Sequence, residues 1–179
     1  RRVISQDIFD LSTTISYAPD GKKAALGHYL MNRYIISILD ISSGSFIMDI
    51  FDMGDNIYPS WAPDSSRLAY FLKRDDDGYG DIYRINLDGM EQTMLAANQK
   101  VTSLFWSPRG DKIAFNANYY DSFLMNSDGS GLYQIDTENF KDQVINWSPD
   151  GRSLILGSFQ DSTNDPYQYG IYDIETGAY

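Results

Sequence analysis

Short apolar runs separated by turn residues recur along this chain in a fixed order. Arg67–Leu72, Lys112–Asn116 and Arg152–Leu156 are each five or six residues long, rich in Leu, Ile, Ala and aromatics, and bounded by turn formers. Runs of that length and composition read as strands in a buried or half-buried sheet. A second set follows at Tyr34–Leu39, Asp81–Asn86, Ser122–Asn126 and Gly170–Ile174, and a third at Phe46–Ile50, Glu91–Leu95 and Leu132–Ile135.

The punctuation between these runs repeats as well. Ser16-Tyr17-Ala18-Pro19-Asp20-Gly21, Ser60-Trp61-Ala62-Pro63-Asp64-Ser65, Phe105-Trp106-Ser107-Pro108-Arg109-Gly110 and Asn146-Trp147-Ser148-Pro149-Asp150-Gly151 are versions of one element, with prolines 44, 45 and 41 residues apart. A period of that length indicates a propeller or a solenoid. Ser-Pro-Asp-Gly suits a type I turn, because Ser bonds the backbone, Pro presets φ and Gly leaves the turn freely. A second glycine turn follows each second run, at Ser43-Gly44, Asp88-Gly89, Asp128-Gly129 and Thr176-Gly177. Each repeat therefore amounts to four strands, the size of one propeller blade.

Trp-Ser-Pro-Asp-Gly followed by Ile-Ala-Phe, Asp-Ile-Tyr and Asp-Gly resembles the TolB-type β-propeller repeat, which also occurs in the propellers of prolyl-oligopeptidase-like and tricorn-like proteases. The resemblance spans nearly the whole chain. It is weakest in the first repeat, where Tyr17 replaces Trp and Asp-Ile-Tyr is missing. The expected fold is all-β, a β-propeller of four-stranded antiparallel blades with about four blades' worth present. Residues 1–179 form a single propeller domain or part of one, with a lone outer strand at 1–6 and repeats near 12–52, 56–97, 100–138 and 142–179. The last repeat ends after its third strand. That phase fits a stretch of a larger propeller of about six to eight blades, or a ring of four closed by the N-terminal strand; the first is preferred because position 1 is Arg.

Composition narrows the function classes. The 179 residues hold 25 Asp plus Glu against 14 Lys plus Arg, a net charge of −11, which argues against a nucleic-acid partner, since phosphate backbones call for clustered cations. No apolar run approaches the roughly 18 residues of a spanning helix, so no membrane insertion is expected within this segment. Cys is absent, which removes disulfides and thiolate chemistry and fits a cytosolic chain as well as a secreted one. The resemblance to TolB-type propellers, many of them exported in bacteria, implies a periplasmic or extracellular setting.

Strand parity locates the expected working end. In an up-and-down blade the turns after strands two and four share one end, and here they differ between repeats: Tyr29–Asn32, Lys73–Gly80, Asn116–Asp121 and Gln160–Tyr169. Loops that vary between otherwise similar repeats are free to carry specificity. The candidate binding residues are Asp75, Asp76, Asp77, Tyr79, Tyr119, Tyr120, Asp161, Tyr167 and Tyr169, because Tyr combines contact area with a polar tip. Asp75, Asp77 and Asp81 also have the alternation of a Ca²⁺ loop, but Tyr79 stands where a ligand belongs and no closing Glu follows; Asp161, Asn164 and Asp165 are a weaker version. Both runs read as solvated hairpin tips, and no metal or cofactor is expected. Trp61, Trp106 and Trp147 are expected to pack between blades.

The chain has no Gly-x-Ser-x-Gly elbow, and its one histidine, His28, falls mid-strand with no marked nucleophile beside it. No catalytic residue is assigned. The resemblance implies a non-catalytic scaffold that binds a protein, peptide or glycan through the variable-loop face, or alternatively the accessory propeller of a larger serine hydrolase or peptidase.

Overall fold

The computed structural model describes residues 14–30, 33–50, 55–88, 90–136, 142–158 and 168–179. They contain fifteen strands and no helix, in four antiparallel sheets. The first two sheets are β1 (Thr14–Tyr17), β2 (Lys23–Leu30), β3 (Arg33–Asp40) and β4 (Ser45–Ile50), then β5 (Asp55–Trp61), β6 (Arg67–Lys73), β7 (Gly80–Asn86) and β8 (Glu91–Gln99). The other two are β9 (Val101–Trp106), β10 (Lys112–Ala117), β11 (Asp121–Asn126) and β12 (Tyr133–Gln134), then β13 (Asp142–Trp147), β14 (Ser153–Ser158) and β15 (Gln168–Asp173). Each is a meander of sequential neighbours, the topology of a propeller blade. The expected lone strand at 1–6 lies outside the described residues, and the third-set run at Leu132–Ile135 is trimmed to the two residues of β12.

The chain divides into two compact units, residues 1–99 and 100–179, with two sheets in each. In the first, Ala25, Ile36 and Ile38 of one sheet meet Trp61, Leu68, Tyr70, Leu72 and Ile85 of the next. In the second, Ala114, Leu124 and Ile135 meet Val144, Trp147, Leu154, Leu156 and Tyr172. The expected packing is seen for Trp61 and Trp147, one in each unit, while Trp106 Nε1 donates to Gly110 O of its own turn at 3.3 Å. Trp61 Nε1 donates to Ser16 O of the preceding sheet at 2.9 Å, and Trp147 Nε1 donates to Phe105 O at 3.1 Å. Ser16 and Phe105 occupy the same repeat position, so one bond recurs at one register and satisfies an indole N–H that burial would otherwise leave unmet.

The proline turns repeat equally closely. The N–H groups of Gly21, Ser65, Gly110 and Gly151 donate to Ala18 O, Ala62 O, Ser107 O and Ser148 O at 2.9–3.0 Å. All four donors have φ between 59° and 78°, the left-handed region in which glycine is unstrained. The exception, Ser65, accepts the Asp20 N–H on its hydroxyl at 3.1 Å, tying two successive turns together.

Inside the second unit a polar clasp joins the sheets. Asn116, 3% exposed, donates through Nδ2 to Val144 O at 2.8 Å and to Ser103 Oγ at 2.7 Å, while its Oδ1 accepts from Val144 N and Ser122 Oγ at 2.9 Å. Its full hydrogen-bonding capacity is met away from water, which is the condition for a buried amide. This corrects its expected place in a loop: Asn116 belongs to β10, and the turn is only 118–120.

Candidate functional site

Parity holds within each sheet, so the turns after β2, β6 and β10 lie at the opposite ends from the proline turns. The β6–β7 turn is a rigid acidic tip. Arg74 N donates to Tyr79 O at 2.8 Å, Tyr79 N to Asp75 Oδ1 at 2.8 Å, and Gly78 takes φ 90°. Gly80 lets the chain re-enter the sheet: a Cβ there would lie 2.0 Å from Leu72 O, closer than any side chain permits. Asp81 is turned inward, 2% exposed, and its Oδ1 accepts from Arg74 Nη2 and Asn98 N, both at 2.9 Å. The acids therefore do not converge. Asp75 caps the backbone, Asp81 anchors the base, and Asp76 and Asp77 point outward without a hydrogen-bond partner among the described residues. No group of three or more His, Asp or Glu side chains able to hold a metal ion occurs among the described residues.

In the second unit the β10–β11 turn carries Asn118 and Tyr119 at φ 53° and 74°, and Tyr119 and Tyr120 are 62% and 46% exposed. Two left-handed non-glycine residues in succession are costly and persist only where their surroundings hold them. Here Asn118 N donates to Lys100 O at 3.1 Å, Asn118 Nδ2 to Asp121 Oδ2 at 3.1 Å, and the Gln143 amide to Tyr119 O. Lys100 Nζ sits 5.1 Å from the Tyr119 ring centre, over its electron-rich face. Of the other candidates, Asp161 and Tyr167 lie outside the described residues. Tyr169 is in β15 rather than in a loop, paired with Gly157 and 70% exposed. Tyr29 likewise belongs to β2.

The proline and glycine turns opposite use their carboxylates internally. Asp20, Asp64, Asp150 and Asp173 accept from Lys22 N, Ser66 N, Arg152 N and Thr176 N. Asp40 is held down to about 2, first by the Ser42 hydroxyl and then by Ser43.

Sequence reasoning missed two features that depend on which side chains meet between neighbouring strands and sheets. The first is a cavity of about 240 Å³ in the first unit, lined by Thr14, Gly27, Tyr34, Asp55, Ile57, Tyr58 and Lys73. It lies at the end from which the β6–β7 turn leaves. Tyr34 N donates to Asp55 Oδ1 at 2.9 Å, and burial pushes the Tyr58 hydroxyl pKa up. The one signal in the sequence was Gly27 inside a strand, which marks a gap or close approach.

The second is a buried chain from β2 to β4. His28 Nε2 lies 2.8 Å from Ser37 Oγ, and the Ser37 hydroxyl donates to Asp49. With that hydroxyl proton committed to Asp49, the imidazole is the donor to Ser37. A nucleophilic triad has histidine between serine and carboxylate so that it can take the serine proton; here serine is in the middle, and His28 is 5% exposed. The arrangement bridges three strands and offers no base to a substrate.

Stacked four-stranded meanders joined by a recurrent Trp-to-carbonyl bond define a β-propeller repeat protein. The family model for the TolB beta propeller domain matches residues 3–177, and the chain belongs to that family. The Tol-Pal system protein TolB of Xanthomonas campestris pv. campestris is 33% identical over 109 residues, covering 60% of this chain and 24% of that protein. TolB from Acinetobacter baumannii superposes with TM-score 0.71 at 20% identity, over 92% of this chain and 41% of that one. An oligogalacturonate lyase in complex with manganese gives 0.75 at 16% identity, over 92% and 50%. At such identities the solved structures establish the fold alone. The chain spans about a quarter of the length of the curated relatives it matches.

Proposed function

We propose that this chain is a non-catalytic TolB-type scaffold segment that binds a protein partner through the turns after the second strand of a blade, 74–79 in the first unit and 118–120 in the second. The observation that carries the reading is an asymmetry in how polar groups are used. Asp20, Asp64, Asp150 and Asp173 of the opposite turns are spent on their own backbones, whereas Asp76, Asp77, Tyr119 and Tyr120 are presented on turns braced by Asp81, Arg74, Gln143 and Lys100. Pre-organised aromatic and charged groups lower the entropy lost on association. The acidic tip suits a basic partner surface, and kinship with Tol-Pal system proteins supports both a protein partner and a periplasmic setting.

A pull-down from periplasmic extract should retain a partner whose affinity falls about 10-fold or more in Tyr119→Ala and Tyr120→Ala, as expected for aromatic contact residues, and by a smaller factor in Asp76→Asn/Asp77→Asn. The thermal midpoint should stay unchanged. Affinity that is indifferent to all of these substitutions while responding to changes in the Asp128-Gly129 turn would rule the reading out.

A further inference from the structure

The cavity in the first unit is explained by comparing equivalent repeat positions. Eight residues after the turn proline stands Gly27 in the first repeat and Asn116 in the third; five residues before it stand Tyr58 in the second repeat and Val144 in the fourth. In the second unit the Asn116 side chain fills the gap between sheets and bonds both backbone groups of Val144. In the first unit Gly27 supplies no side chain. The facing strand bulges at the same register in both units, Tyr58 and Pro59 opposing Tyr70 as Val144 and Ile145 oppose Leu156, but only in the first does the bulge hold a left-handed residue, Tyr58 at φ 56°. A left-handed tyrosine at a bulge is a costly arrangement that re-aims a side chain, and such features concentrate at ligand sites.

The opened space has a definite chemistry. Its walls are mainly apolar: the rings of Tyr34 and Tyr58, Ile57, and the bare backbone at Gly27. Asp55 and Lys73 are directly opposed in register, yet among the described residues they form no ion pair, Lys73 has no partner, and Asp55 is engaged only by Tyr34 N. The Tyr58 hydroxyl also has no partner among the described residues. Opposed but unpaired charges leave one acceptor and one donor for something placed between them. An apolar cavity of about 150 Å³ holds benzene, so 240 Å³ has room for a benzyl group and part of its backbone.

We infer that this cavity receives one aromatic side chain of an extended segment from a protein partner, with the adjoining peptide N–H donating to Asp55 and the peptide C=O accepting from Lys73. The inference rests on the partner-binding reading for its location at the variable-turn end. Its chemistry can be tested without the partner.

The probe is N-acetyl-phenylalanine amide, titrated into the 179-residue chain and followed by ¹H–¹⁵N NMR. Saturable shifts should centre on Gly27, Tyr34 and Tyr58, with a dissociation constant on the order of 1 mM for a ligand of this size. Gly27→Asn, which restores the residue type of position 116, should abolish them; the Cβ it adds lies 2.6 Å from Thr14 Oγ1, so the Thr14 side chain must turn aside, and at an ordinary 3.8 Å from Thr14 O. Lys73→Met, at a half-buried strand end, should weaken the probe about 3-fold to 10-fold while leaving the spectrum folded, as loss of one hydrogen bond from a charged donor predicts. Shifts that stay undiminished in Gly27→Asn, no shifts at 20-fold excess over about 1 mM, or tighter binding of N-acetyl-arginine amide would each overturn the inference. The partner assay on Tyr119 and Tyr120 reads the other unit, so the two proposals fail independently.

Discussion

His28 shows how burial sets the behaviour of a single residue. Desolvation lowers its pKa below the ordinary 6.5, and the charge of Asp49 only partly draws it back. A histidine kept neutral in this way binds a proton less readily folded than unfolded. Its contribution to stability is fully present above 6.5 and is lost as pH falls through the lowered folded value. The thermal midpoint should therefore drop between pH 7 and pH 5, and the drop should shrink in His28→Asn. The turn carboxylates do not confuse this window, because Asp40, held at about 2, keeps its charge well below it. Asn116 is the other informative residue. Asn116→Ala would strip Val144 O of its cross-sheet partner and leave Val144 N only the Ser122 hydroxyl at 3.2 Å, and at ~1–3 kcal/mol for the buried carbonyl left unmet a loss of roughly 3 kcal/mol is expected. Thermal unfolding should show a fall of roughly 6–12 °C for a chain of this size.

At the scale of elements, each blade is set by turn chemistry and strand alternation acting together. The β6–β7 connection depends on Gly80, whose missing Cβ lets the chain pass beside Leu72 O. Gly80→Ala forces the strand ends apart and should cost about 1–3 kcal/mol, the range for overpacking a tight site, together with disturbed amide signals from Lys73 to Asp81. A thermal midpoint equal to that of the parent chain would show that the backbone there is more yielding than the close approach implies. Ser65 illustrates a local rule broken and compensated: a serine takes the left-handed position held by glycine in the other three proline turns, and its hydroxyl accepts the Asp20 N–H.

For the whole molecule, the net charge of −11 and the outward Asp76 and Asp77 would, on the proposed reading, set how a partner arrives. Association with a basic partner should slow several-fold as ionic strength rises from about 0.01 M to 0.15 M, since the screening length shrinks from roughly 30 Å to 8 Å. Dissociation should change little, because on the proposed reading it would reflect the contacts of Tyr119 and Tyr120 rather than the charges. Stopped-flow rates at two salt concentrations separate these effects, and an association rate independent of salt would remove electrostatics from the recognition.

The sequence by itself determined the blades. The spacing of Pro19, Pro63, Pro108 and Pro149, the glycines two residues beyond three of them, and the apolar runs between them determined the meander order and the family, because turns and strand alternation act over two to five neighbouring residues and are written in order along the chain. It also marked the acidic and tyrosine-bearing turns as the variable ones. Only the tertiary structure decided which of those residues face outward: Asp81 is drawn in by Arg74 and Asn98, Tyr169 joins β15, and Ser37 links His28 to Asp49. It likewise decided that Gly27 opens a cavity where Asn116 closes one. Those outcomes depend on which side chains meet between neighbouring strands and sheets, from residues 7 to 28 positions apart, and folding brings such pairs together through burial and geometry that no local pattern records.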